Sequence, residues 1–294
     1  MGIGTAGIAS PRKRDDGASV TPNCRPPVLE SMVEATLTPI QRGTITADVN
    51  NLLEGARLGT ADDPNPETEL IEEPVYNVVI DHPEGTILWD TGSHPDADAG
   101  HWPDDLYAAF EHTGLRPLED DLDDAGYDVG DIDYVIQTHL HLDHAGGLYA
   151  FEGTETPIYV HERELKHAYY SAKTDQGDVA YLAGDFDRDL EWEIVHGDRE
   201  YAFEGVEFVH LPGHTPGLLG VVLELESAGT VVLAGDQAYV RANYHDEHPM
   251  GGGLLWSKRH WLESLRFLKD LERRRDAAVI CGHDGEDLER LRSL

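Results

Sequence analysis

Ten residues, Thr138-His139-Leu140-His141-Leu142-Asp143-His144-Ala145-Gly146-Gly147, constrain this chain more than any other stretch. They follow directly on Tyr134 to Gln137, a short apolar run that reads as a buried strand. In backbone that is still extended, His139 and His141 stand two apart and project to the same side, so both can face one cation. Asp143 and His144 fall on the turn leading away, placed for a second cation. Gly146 and Gly147 let the backbone bend closely around such a site. Imidazole with carboxylate is a ligand set suited to zinc and its first-row neighbours. A single histidine is more often a surface or core residue. With 16 histidines in 294 residues, a chance match to His-x-His-x-Asp-His has a probability well below about one percent.

Three more segments deliver ligand-type residues at the ends of apolar runs. Leu211-Pro212-Gly213-His214-Thr215-Pro216-Gly217 sets a histidine in a turn bounded by Pro and Gly. Ala234-Gly235-Asp236 places a carboxylate after the run Thr230 to Leu233, and Cys281-Gly282-His283-Asp284 repeats the arrangement near the C-terminus. Four strand-terminal loops of this kind fit a site at one edge of a sheet sandwich. The remaining pattern agrees. Val75 to Ile80, Thr86 to Trp89, Pro157 to Val160, Val206 to Leu211, Gly220 to Leu225, Thr230 to Ala234 and Ala277 to Cys281 read as strands, with hairpin-like pairs over 201–208 and 218–233. Asp104 to His112, Glu162 to Ser171 and Leu254 to about Arg274 read as helices, the last with Trp256 and Trp261 in its core face. The expected architecture is α/β: two sheets packed face to face, with helices outside.

The spacing His-x-His-x-Asp-His, followed in order by His, Asp and His, resembles the metallo-β-lactamase-fold hydrolases over residues 29–294 or so. That resemblance implies an αββα sandwich of two mixed sheets flanked by helices, holding two divalent cations. Zinc is the expected metal, with manganese, iron or cobalt as substitutes. By the same resemblance His139, His141 and His214 bind metal 1, Asp143, His144 and His283 bind metal 2, and Asp236 bridges them. Asp90, in Trp89-Asp90-Thr91-Gly92, matches an aspartate that orients a ligand histidine. Aspartate rather than cysteine at 236 speaks against true β-lactamases, and His141 speaks against the redox-active di-iron branch.

Tyr239, three residues after Asp236, together with Tyr244 and Pro249, is similar to N-acyl-homoserine lactonases. A tyrosine there polarises the substrate carbonyl, so the implied catalytic pair is Tyr239 and Asp143, the latter passing a proton to the leaving alkoxide. The expected activity is opening of the ring of an N-acyl-homoserine lactone or a related lactone or ester. Three alternatives stand beside it. One is thioester hydrolysis of the glyoxalase II type, although only 11 residues follow His283, too few for that branch's glutathione-binding extension. Another is a broad esterase. The third is a non-catalytic metal-binding module, which the intact ligand set opposes.

Charge narrows the partners. Fifty-seven acidic residues against 22 basic ones give a formal net charge of −35, which repels phosphate backbones and argues against nucleic acid. Such a surface is also the kind that stays hydrated in molar salt, a halophilic trait. The acidic run Glu119 to Asp124 reads as a solvated face. No apolar run approaches the roughly 20 residues of a membrane span. Residues 1–27 read as a disordered leader before a hydrolase domain over 28–294. Arg12-Lys13-Arg14 lacks a following apolar segment, so no secretory signal is expected and the chain reads as cytoplasmic, a monomer or homodimer. Cys24 and Cys281 are not expected to pair, and Cys281 reads as a buried small hydrophobe.

Overall fold

The computed structural model describes residues 31–174 and 176–294, so the expected leader over 1–27, with Cys24, lies outside the described residues. One sheet contains β1 (Thr36–Asp48), β2 (Leu70–His82), β3 (Gly85–Trp89), β4 (Phe110–Thr113), β5 (Tyr134–Ile136), β6 (Ile158–His161) and β7 (Trp192–Val195), in the order β4-β1-β2-β3-β5-β6-β7. The other contains β8 (Arg199–Phe203), β9 (Val206–His210), β10 (Leu219–Leu225), β11 (Gly229–Leu233) and β12 (Ala278–Ile280), in the order β12-β11-β10-β9-β8. Both sheets are mixed. From β3 through β5 and β6 to β7 the pairing is parallel, as it is between β11 and β12, and the other pairings are antiparallel. The helices are α1 (Val49–Leu52), α2 (Asp104–Ala109), α3 (Leu118–Ala125), α4 (Glu162–Thr174), α5 (Ala183–Phe186), α6 (Arg241–His245), α7 (Lys258–Arg275) and α8 (Gly285–Leu291).

Alternation along the strands builds the layers. Tyr76, Val78 and Ile80 of β2 turn toward Val221, Leu223, Val231 and Leu233 of the second sheet, while Val79 turns the other way. On that outer face Val79, Leu88, Val135 and Ile158 meet Leu118 and Leu122 of α3 and Ala168 of α4. The outer face of the second sheet, through Val222, Val232 and Val279, is covered by Trp261, Leu265, Leu268 and Leu271 of α7. The fold is therefore the expected αββα sandwich.

Several local expectations need correction. β1 lies outside the strands read from apolar runs because it alternates polar and apolar residues and breaks register between Gln41 and Thr44. The helix expected over 104–112 stops at Ala109, and Phe110 to Thr113 pair with β1 instead. The last long helix starts at Lys258 rather than Leu254, because Ser257 caps it. Trp256 is thereby left out of the core, 46% exposed and stacked on His260. The acidic run 119–124 is helical and not wholly solvated, since Asp121 is buried against Arg42. Cys281 is buried, as expected. Among the described residues no helix is long and apolar enough to cross a membrane.

Candidate metal centre

Five loops meet at one edge of the sandwich. They leave the C-terminal ends of β3, β5, β9, β11 and β12, strands that run the same way within their sheets. Close packing brings the loops together. A Cβ on Gly146 would lie 2.1 Å from the backbone nitrogen of His94, and one on Gly147 would lie 2.4 Å from the carbonyl oxygen of Thr91. Only glycine permits that approach.

Two groups of donors result. His141 Nδ1 faces His214 Nε2 at 2.9 Å, and His214 Nε2 lies 3.2 Å from His139 Nε2. In the second group His144 Nε2 lies 3.1 Å from His283 Nε2, with Asp143 Oδ2 at 3.7 and 3.6 Å from them. Asp236 stands between the groups. Its Oδ2 is 3.4 Å from His214 Nε2 and 3.9 Å from His139 Nε2. Its Oδ1 is 3.4 Å from His144 Nε2 and 3.3 Å from His283 Nε2. One carboxylate thus offers one oxygen to each cluster. All seven side chains proposed as ligands from the sequence converge, and apart from the partly exposed Asp143 they are buried.

The donor set fits divalent cations. Nitrogens about 2.0–2.1 Å from a tetrahedral ion sit roughly 3.3 Å apart, close to the spacings found. Imidazole nitrogens aimed at one another cannot all be satisfied by hydrogen bonds, and Asp236 Oδ1 is buried without a donor among the described residues. Burial pulls the basicity of His139 well down and that of His214 to about 4, leaving lone pairs available. For His144 burial acts the same way but is outweighed by Asp236, Asp143 and Asp90, which raise it.

Four of the five outward ring nitrogens are held as well. His144 Nδ1 lies 2.9 Å from Asp90 Oδ2, and His139 Nδ1 lies 3.0 Å from Thr138 Oγ1, whose hydroxyl donates to Asp90 Oδ2 at 2.8 Å. His214 Nδ1 donates to Leu254 O at 2.6 Å, and His283 Nδ1 to Pro74 O at 3.1 Å. Those carbonyl acceptors leave Nε2 as the bare nitrogen facing the cluster. Asp90 does this from a left-handed backbone, φ 56°, and its Oδ1 accepts from Thr138 N and Gln137 Nε2.

Tyr239 is buried and stacks on His283 with ring centroids 4.0 Å apart. It lines a cavity with Asp143, Asp178 and Asp236, and the cavity's other wall is apolar, from Ile45, Leu106, Phe110, Leu142 and Leu254. Burial raises the Tyr239 phenol well above its ordinary value, with Asp143 and Asp236 adding to the effect, so it stays protonated. Glu164 is a contributor with no sequence motif of its own. Fully buried on α4, it accepts from Leu140 N, Gly217 N and Tyr181 Oη, tying the His139 and His214 loops together.

The sequence profile described as the Metallo-beta-lactamase superfamily matches residues 70–283. An N-acyl homoserine lactonase from a Bacillus species is 34% identical over 226 residues, which span 74% of this chain and 84% of the relative. An N-acyl homoserine lactonase of Agrobacterium fabrum is 28% identical over 256 residues, 83% of this chain and 91% of the relative. Among solved structures, an N-acyl homoserine lactone hydrolase with the product N-hexanoyl-L-homoserine at its catalytic metal centre matches with a TM-score of 0.75 and 26% identity. That match covers 88% of this chain and 97% of the other.

Proposed function

The chain belongs to the metallo-beta-lactamase superfamily, and from that premise we propose that it is a dinuclear metal-dependent lactonase that opens N-acyl homoserine lactones. The observation that carries the reading is Asp236, with one oxygen toward each histidine cluster. Relatives named as lactonases support the choice of substrate.

His139, His141 and His214 would hold one cation, Asp143, His144 and His283 the other, and Asp236 both. Divalent ions bound there supply Lewis acidity and lower the pKa of water to about 7, so that a nucleophile exists at neutral pH. Tyr239, protonated and facing the cavity, donates its hydroxyl proton as a hydrogen bond to the carbonyl oxygen as negative charge develops there. As the water oxygen bonds to the carbonyl carbon and the ring C–O bond breaks, Asp143, partly exposed at the cavity wall, carries the proton given up by that water to the ring oxygen. Ile45, Leu106 and Phe110 exclude water from the acyl side. The product is an N-acyl-homoserine.

The test is hydrolysis of N-hexanoyl-homoserine lactone in molar salt, run beside a thioester and a phosphodiester, with elemental analysis of the same sample. Two metals per chain and lactone turnover that a chelator abolishes and zinc restores are expected. His141→Ala and Asp236→Ala should lose both activity and metal. Turnover of the thioester alone would replace the lactone reading with a glyoxalase II-type one. Folded wild-type protein that takes up no metal would remove the premise of the mechanism.

A further inference from the structure

Four of the five clustered histidines have an outward ring nitrogen engaged by Asp90, Thr138, Leu254 O or Pro74 O. His141 is the fifth. Its Nδ1 faces the cluster, whereas its Nε2 is buried and makes no hydrogen bond among the described residues. Asp178 Oδ2 lies 3.5 Å from that nitrogen, within ion-pair distance. We propose that Asp178 is the positioning residue of the three-histidine half of the centre. Its carboxylate accepts the His141 Nε2–H, fixes the tautomer that presents Nδ1, and sets how tightly that half holds its cation. The inference rests on the metal-binding reading given above and adds a residue to it.

Asp178 is presented by a preformed turn rather than by a free arm. Its Oδ1 accepts from Ala180 N at 2.9 Å, and its backbone nitrogen donates to Ser171 Oγ of α4 at 3.3 Å. Ahead of it, Gly177 has φ +90°, and a Cβ there would lie 2.5 Å from Ser171 Oγ. Beyond it, Ala180 O accepts from Leu142 N at 3.1 Å, which fastens this loop to the segment between His141 and Asp143. Tyr181 packs its ring 4.6 Å from that of His141. The two carboxylate oxygens therefore have separate tasks, Oδ1 holding the turn and Oδ2 facing the imidazole. On the other half of the centre Asp90 and His144 make the corresponding pair at 2.9 Å, fully buried. The Asp178 side chain is 26% exposed and lines the cavity, so an alternative role as a contact for the substrate amide must be separated by experiment.

Asp178→Asn separates the tasks. The amide oxygen still accepts from Ala180 N, so the turn survives, but an NH2 group then faces the His141 Nε2–H and the acceptor is lost. Zinc and cobalt(II) affinities are measured by chelator competition, with cobalt absorption reporting the ligand field and thermal melting of metal-free protein reporting the fold. For Asp178→Asn we expect one of the two metals to bind about 10- to 100-fold more weakly, the cobalt spectrum to change, and the metal-free melting temperature to stay that of wild type. Asp178→Ala should show the same loss of affinity together with a lower melting temperature. Wild-type affinity for both metals in Asp178→Asn overturns the proposal. If KM for lactone rises alone, Asp178 is a substrate contact; if only Asp178→Ala is affected, the turn is responsible. The wild-type titration run alongside reports on the metal reading itself, and lactone turnover on the substrate, so the three can fail separately.

Discussion

Tyr239 can be tested without disturbing its surroundings, because the stacking of its ring and the role proposed for its hydroxyl are separable. The ring stacks on His283 at an interplanar angle of 16°, and a phenylalanine would keep that contact. Tyr239→Phe should therefore leave two metals per chain by elemental analysis and the melting temperature unchanged, while kcat for lactone falls about 100-fold, the loss typical of one oxyanion donor. A variant with wild-type kcat would remove the tyrosine from the mechanism. At this scale the sequence is informative where chemistry is packed into a short stretch. His139, His141, Asp143 and His144 share six residues, and Tyr239 is singled out by its offset from Asp236. Glu164 and Asp178 escape the same reading. Glu164 joins Leu140 and Gly217, which are 24 and 53 residues away from it in sequence, and Asp178 reaches His141 across 37 residues of chain. Nothing local distinguishes either from the many other carboxylates of an acidic chain.

Elements are legible in proportion to how deeply they are buried. β10 is buried along its whole length and β11 nearly so, and such strands read as unbroken apolar runs. β1 and β4 lie at or near the open end of their sheet, where partly solvated faces carry threonine, glutamine and glutamate and the apolar signal thins. The start of α7 illustrates a different competition. Periodicity would continue the helix back to Leu254, but Ser257 accepts from His260 N and stops it there. The freed backbone then serves the site: Trp256 N donates to His214 O and Ser257 N to Gly213 O, each at 2.9 Å. Ser257→Ala should cost about 1 kcal/mol in urea unfolding, whereas Ser257→Asp, which can still accept at the N-cap, should lose little. Equal stability of wild type and Ser257→Ala would mean that the cap does not decide where this helix begins.

For the molecule as a whole the dominant quantity is a net charge of −35. Local pairing does little to relieve it. Arg57, Arg116, Lys166, Lys173, Arg188, Arg199, Lys258, Arg259, Arg273 and Arg275 are already engaged with Asp or Glu. Where such pairs are exposed they contribute about 0–1 kcal/mol each, and these ten residues are nearly half of the chain's 22 Lys and Arg. The surplus carboxylates are left to repel one another across the surface. Folding draws those charges closer together than they are in the extended chain, so repulsion weighs against the folded state. Its reach is set by the Debye length, about 10 Å at 0.1 M salt and about 3 Å at 1 M. Raising NaCl from 0.1 to 1 M should therefore increase the melting temperature and the urea midpoint. Sucrose at matched osmolality acts by exclusion from the surface rather than by screening, and should raise them less. A melting temperature that is flat or falls with salt would show that the acidic surface carries little repulsive free energy and would end the halophilic reading, while leaving the proposed metal centre, whose side chains are largely buried and only weakly screened, as it stands.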